Sequence, residues 1–270
     1  MLDSTLDREN SERKFHFTMI QIKNTSNLTG VEISGDFNDF ENLIDAFYQI
    51  TADDSPAYNN ISARILALCY DIRHAMQGER EIELVGNGIN ETIMKFHSMI
   101  LPKNNVYYQC NCLYPEMFFV MLALNELVKL RMRNLTKSKY AYDLAFEKDA
   151  VWDGPIATIR LFQAGFTACF EEIITENAFN RWLKLMNDRY LCFHGIAVQY
   201  VDFLNIKYLK MNHEKRLKNL TTIAKRLAEF HSDADHIEIK EVVVDGAREH
   251  GCSENELSLE GIEYPEEILW

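Results

Sequence analysis

Residues Tyr114–Arg133 read YPEMFFVMLALNELVKLRMR, and this stretch decides the fold. Met117 to Leu124 is an unbroken apolar run with no polar side to turn towards water, and Pro115 stands where a helix tolerates proline best, in the first turn. The segment predicts a helix to about Arg133 that is buried all round and serves as the spine for the rest. Lys129, Arg131 and Arg133, then Lys137 and Lys139, put cations at and beyond its C-terminal end, where the helix dipole favours them. The apolar run ends at Asn125 and Glu126, well short of the roughly 20 residues that cross a bilayer. No membrane span is expected.

On the N-terminal side the pattern mixes strands and helices. Phe15, Phe17 and Met19 alternate with polar residues, as do Val31 and Ile33 after a turn at Asn27 to Gly30, which predicts a β-hairpin closed by Gly35. Asp36, Asn38 and Asp39 offer caps for a helix through Ile50, with Phe40, Leu43, Ile44, Phe47 and Tyr48 at helical spacing. After Pro56, a second helix is expected over about Asn60 to Gln77, with Ile61, Ile65, Cys69, Ile72 and Met76 on one stripe and Gly78 as its stop. Glu81 to Val85, Thr92 to His97 and Asn105 to Cys112 read as strands.

On the C-terminal side, helical patterns fill roughly 156 to 187 and 192 to 230 beyond a turn at Trp152 to Pro155. The last of these sets Leu217, Leu220, Ile223, Ala224, Leu227 and Phe230 on one face and Lys215, Lys218, Lys225 and Arg226 on the other. His236 to Val244 reads as a strand turning at Asp245-Gly246. The fold class that follows is α+β: a small, mostly antiparallel sheet packed on helices in the N-terminal half, and a largely helical C-terminal half. The expected organisation is a disordered extension over 1–14, an α+β domain over 15–135, a helical region over 136–230 packed on it, and an acidic segment over 231–270.

Charge is unevenly placed. The 270 residues carry a net −13, yet Glu229 to Trp270 alone holds 13 Asp/Glu against 2 Lys/Arg, a net −11 that leaves −2 for everything before it. Such asymmetry bears on partners rather than chemistry. Nucleic acid is disfavoured because the Lys215 to Arg226 face is the only sizeable basic surface and no aromatics are interleaved with it. The acidic segment could pair with that basic helix within the molecule, or capture a basic protein partner through Leu257, Tyr264 and Trp270, with Leu259, Ile262, Ile268 and Leu269 as further apolar anchors. The aromatic content also leaves room for a homo-oligomer. The polar N-terminus lacks the layout of a signal peptide, and the spacing of the six cysteines matches no small disulfide framework, so a cytoplasmic setting with reduced thiols is expected.

No nucleotide-binding, hydrolase-elbow or zinc-protease motif is present, so no cofactor and no reaction follow from motifs. Arg64, Asp71 and His74 are the best catalytic candidates. Their spacings put them on or beside one polar side of the second helix, where an Asp can orient a His as general base and Arg64 or Arg73 can hold an anion. Ordinary helix-surface ion pairs have the same spacing. Tyr107 or Tyr108 could join such a site. Cys110 and Cys112 would face one side of a strand with His97 or Cys69 nearby, but core packing explains buried thiols as well, and the same holds for Cys169, Cys192 and His194. Glu171 with Glu172, and His231 with Asp233, Asp235 and His236, fit no metal motif and read as half-buried interface carboxylates and as a turn. No metal site is expected.

The stretches NLTGVEISGDFNDFENLIDAFYQI, LCYDIRHAMQGEREIELVGNG and YYQCNCLYPEMFFVMLALNEL resemble a bacterial family of uncharacterised cytosolic proteins over about residues 19 to 135. The resemblance implies a bacterial setting and an α+β first half and transfers no activity. The acidic end lies outside it. Two functional readings follow: non-enzymatic protein–protein interaction with the acidic segment contributing, or a small-molecule enzyme or ligand-binding protein with its polar site around Arg64, Asp71 and His74.

Overall fold

The structure, a computed structural model, describes residues 20–52, 58–137, 146–187, 193 and 195–270. The expected 1–14 extension, the Phe15 to Met19 strand, Pro56, Lys139, Cys192 and His194 fall outside them. The chain runs β1 (Gln21–Asn24), β2 (Gly30–Gly35), α1 (Phe37–Thr51), α2 (Asn59–Met76), β3 (Ile82–Gly86), α3 (Glu91–His97), β4 (Asn104–Leu113) and α4 (Tyr114–Thr136). There follow α5 (Lys148–Val151), α6 (Gly154–Glu171), α7 (Glu176–Met186), α8 (Val198–Leu209), α9 (His213–Ala228) and α10 (Ala234–His250). A four-stranded antiparallel sheet in the first half with helices around it and a helical second half make the fold α+β.

Helix α4 is the predicted spine. Every residue from Met117 to Leu124 is buried, as are Tyr114, Leu127 and Val128, and each large side chain so covered contributes about 1.5–3 kcal/mol of transfer free energy. An aromatic cluster of Tyr114, Phe118, Phe166, Phe170 and Trp182 joins α4 to α6 and α7, with Phe170 and Trp182 at 4.7 Å between ring centres. One core joins Val31 and Ile33 of the sheet to Leu227 and Phe230 at the far end.

The sheet has the order β1-β2-β4-β3. Asn24 lies opposite Val31 across a turn in which the Thr25 N–H donates to Gly30 O at 3.1 Å. The predicted turn is present, and the strand that enters it is β1. At Gly30 a side chain has no room: a Cβ would stand 1.9 Å from the carbonyl oxygen of Cys112 on β4. Helix α1 starts on the expected cap, with Asp36 accepting from Asp39 N at 2.9 Å and Asp39 returning the contact. It buries Phe40, Leu43, Ile44, Phe47 and Ile50 but leaves Tyr48 exposed.

Two predicted strands are helices. Thr92 to His97 lies in α3, where the Asn90 side chain accepts from Ile93 N at 3.0 Å and Ser98 closes the helix with a left-handed φ of 52°. His236 to Val244 lies in α10, which Asp233 caps through Asp235 N and His236 N and Gly251 ends at φ 63°. In both segments local capping outweighs the β preference of Thr, Ile and Val. In α10 the buried residues His236, Val243 and Ala247 fall on one helical stripe, so Asp245-Gly246 is helix interior and not a turn. The helical patterns of the second half are also cut, at the Thr175 and Asn212 caps.

Candidate functional site

A cavity of about 620 Å³ opens between α2, β4, the start of α4 and the chain beyond α10. Arg64, Leu68 and Asp71 enter it from one face of α2, one and two helical turns apart. Glu79, Arg80 and Glu81 enter from the link to β3, Glu32 and Gln109 to Leu113 from the sheet, Glu116 from the first turn of α4 and Asn205 from α8, with Tyr264, Ile268 and Trp270 from the acidic segment. Two residue sets that the sequence suggests separately, the α2 polar face and the C-terminal aromatics, therefore line one space.

Its floor is a polar network. Arg64 Nε donates to Glu116 Oε1 at 2.7 Å and Arg64 Nη2 to Asp202 Oδ1 at 2.8 Å, with a second Nη2 contact to Glu116 making that pair bidentate. Asn205 Nδ2 donates to Glu116 Oε2 at 3.0 Å and to the Tyr264 hydroxyl at 2.9 Å, and that hydroxyl donates to Asp202 Oδ1 at 2.7 Å. Burial works against the Arg64 charge, but Glu116 and then Asp202 more than offset it and hold the guanidinium well above its ordinary range. Burial, followed by the Asp202 charge, pushes the Tyr264 phenol up, so it stays a donor. Asn205 Oδ1 is buried with no hydrogen-bond partner; because Glu116 accepts from the other terminal atom, the amide orientation is fixed by chemistry.

The rim is acidic. It carries Glu32, Asp71, Glu79 and Glu81, which with Glu116 of the floor make five carboxylates against two arginines, Arg64 paired as above and Arg80 with Asp71 at 3.6 Å. Burial pushes the Asp71 carboxyl up, with Arg80 pulling the other way. His74 does not line the cavity; its Nδ1 pairs with Glu79, which does, and its ring packs against Tyr70 at 4.1 Å. Arg73 is exposed, and Tyr107 and Tyr108 are not among the lining residues.

The acidic segment follows a defined course. Asp233 and Asp235 pair with Arg226 at 2.7 and 2.5 Å and Lys207 with Asp235 at 3.1 Å, so its beginning does meet the basic face of α9. The later part leaves that face. Gln199 Nε2 donates to Glu254 O at 2.6 Å and Leu257 O at 2.8 Å, and Leu257 packs at Gly246, where a Cβ would come within 3.2 Å of it. After Tyr264 the chain reaches the β1–β2 turn, where Thr29 Oγ1 donates to Leu269 O at 2.5 Å and Ser26 Oγ and Asn27 Nδ2 donate to Trp270 O at 2.7 and 2.8 Å. Arg216, buried, braces the same turn through Asn27 O and Thr29 Oγ1.

Cys110 and Cys112 also line the cavity. Burial pushes the Cys110 thiol up to about 12 and Cys112 well above its usual value, so both remain neutral thiols. His97 is exposed on α3 and Glu171 and Glu172 are exposed at the end of α6, not half-buried. Among the described residues no group of three His, Cys, Asp or Glu side chains could hold a metal ion.

Glu116, Asp202 and Asn205 are the site residues that sequence reasoning missed. Their signal was present: Glu116 is the lone carboxylate before the apolar run of α4, and Asp202 and Asn205 are polar at a spacing of three within the largely apolar VQYVDFLNIKYL of α8.

No curated protein and no solved structure matches the chain. A family model described as a domain of unknown function, DUF6904, matches residues 20–270, so its extent goes beyond the 19–135 resemblance and takes in the acidic end. The chain belongs to the DUF6904 family.

Proposed function

We propose that this DUF6904 protein is a ligand-binding protein whose cavity takes a small organic cation, an amine or a guanidinium compound. The observation that carries the reading is the imbalance of the lining: the two arginines pair with Glu116 and Asp71, which leaves Glu32, Glu79 and Glu81 of the five carboxylates without an arginine. A ligand cation would offset the negative charge left at Glu32, Glu79 and Glu81, beside the Asp71–Arg80 pair. Arg64 serves as the clamp of the floor and not as an anion holder, because Glu116 and Asp202 already occupy it. Tyr264 and Trp270 supply aromatic walls of the kind that favour cations. The proposed setting is the bacterial cytosol, supported by the resemblance of residues 19 to 135 and by the buried, unpaired thiols of Cys69, Cys110, Cys112 and Cys169.

Thermal unfolding with matched panels of amines, neutral alcohols and carboxylates tests this. Amines alone should raise the midpoint, and Asp71→Asn should reduce that rise while leaving the unliganded midpoint nearly in place. A rise with carboxylates, or none with any amine, would end the reading.

A second reading has its own support. Glu260, Glu263, Glu266 and Glu267 are exposed and form no ion pair among the described residues, a surface suited to a basic protein partner, with Leu257, Tyr264 and Trp270 as anchors. Affinity capture with the full chain and with a chain shortened after Gly251 tests it. A partner retained only by the full chain, and lost in high salt, would support an interaction role; equal capture by both would remove it.

A further inference from the structure

The excursion from β3 through α3 to the start of β4 stands apart from the core. No residue from Met76 to Val106 is buried, and α3 buries none of its side chains. Ile82 and Leu84 alternate on β3, and Leu84 lies opposite Val106, so the three share one face of the sheet. It is the same face that Cys110 and Cys112 present to the interior further along β4. The sheet outruns the helices that cover it, leaving Leu84 66 % exposed. Ile93, Phe96, Met99 and Ile100, on α3 and just beyond it, are further exposed apolar side chains of the arm, with Phe96 83 % and Ile100 99 % exposed.

The edge of β3 is also open. Glu81 O accepts from Gln109 N and Asn87 N donates to Lys103 O, so the odd-numbered residues between them face β4. The N–H and C=O groups of Ile82, Leu84 and Gly86 therefore point outward, and no strand among the described residues pairs with them.

We infer that this arm is a homodimer interface: two copies of the chain pair their β3 edges antiparallel about a two-fold axis and pack their apolar arm faces together. Three features select a second copy as the occupant. An antiparallel edge is self-complementary under a two-fold axis, so the same row of donors and acceptors is satisfied on both chains. Between Ile82 and Val106 the charges are Glu83, Glu91, Lys95 and Lys103, a neutral patch on a chain of net −13, so like-charged copies meet where repulsion is least. With roughly 190 Å² for a large side chain, the exposed fractions of the seven apolar residues amount to about 800 Å² per copy, the share of each partner in a standard-size interface.

Sedimentation equilibrium on the full chain from low to high micromolar concentration tests the inference, beside Leu84→Asp and the double variant Phe96→Asp/Ile100→Asp. Wild type should show twice the 31.5 kDa chain mass, and both variants should fall to the single-chain mass with unchanged thermal unfolding at low concentration, since the altered side chains are exposed. Leu84→Asp alters the strand and the double variant only α3 and the segment just after it, so loss of folding in one leaves the other decisive. A monomeric wild type at every concentration, or a dimer that neither folded variant weakens, would overturn the assignment.

Discussion

Replacing Arg64 by Met should strand two carboxylates. The Arg64 and Glu116 side chains are each 16 % exposed, and Asp202 is 25 % exposed. Without the guanidinium, Glu116 and Asp202 keep only Asn205 and Tyr264 as donors. Removing one member of a buried ion pair costs about 3–5 kcal/mol, and the partial exposure of Asp202 places the loss near the lower end, about 3 kcal/mol. Glu116→Gln keeps the shape and an acceptor for Arg64 and leaves Asp202 as its counter-charge, so it should cost about 1–2 kcal/mol. In the double variant the Glu116 charge is no longer stranded, and the total should fall short of the sum by about 1–3 kcal/mol. Urea unfolding of the four proteins reads this directly through the midpoints, with slopes unchanged. The coupling should persist in about 1 M salt, because a buried pair is screened far less than a surface one. Losses that add to within about 0.5 kcal/mol, or a coupling abolished by salt, would refute a buried network beneath the cavity.

Three further outcomes are expected. Gly30→Ala should cost about 3 kcal/mol, because its Cβ would fall on the Cys112 carbonyl and β2 would have to part from β4; chemical unfolding checks it, and a neutral effect would mean the strands are not so close. His236 is buried against Tyr200 and Phe230 with Nε2 accepting from Ala197 N, and burial, then Lys240 and His231, hold its pKa down to about 4 from 6.5. The unfolded chain therefore takes up the proton first, so about 3 kcal/mol of stability is present above pH 6.5 and lost as pH falls towards 4; His236→Gln should flatten that slope, and an equal slope in both proteins would contradict the assignment. Gly246→Leu should press on Leu257 while improving α10 itself by about 0.8 kcal/mol or more, so amide exchange should rise several-fold over 253–270 and not in α10; unchanged protection of 253–270 would show that Leu257 does not dock there.

How far the sequence reaches is visible residue by residue. The α4 spine is legible because eight consecutive apolar residues have no alternative to burial, and α1 and α2 because their stripes coincide with caps or stops at Asp36 and Gly78. The strands invoked for Thr92 to His97 and His236 to Val244 misread β-branched residues whose helical state was set by Asn90 and Asp233, one side chain each. Arg64 and Asp71 could be placed on one face from spacing alone. What spacing cannot supply is the fold-level encounter: Glu116 and Asp202 reach Arg64 from 52 and 138 residues away in sequence, and Asn205 joins them through Glu116. The course of the acidic segment was hidden for a related reason. Net charge pointed to the basic α9 face, whereas backbone carbonyls at Glu254, Leu257, Leu269 and Trp270, which carry no sequence signature, fix its later part.

The central claim is that the cavity recognises positive charge. Its most direct test is a calorimetric titration of the full chain with a short diamine and with the diol of equal length, at neutral and at acidic pH. The account predicts binding of the diamine alone, weakening as acid protonates Asp71, whose carboxyl burial already pushes up, and a smaller pH dependence in Asp71→Asn. Equal binding of diol and diamine, or diamine binding that Asp71→Asn leaves unaltered at both pH values, would contradict it.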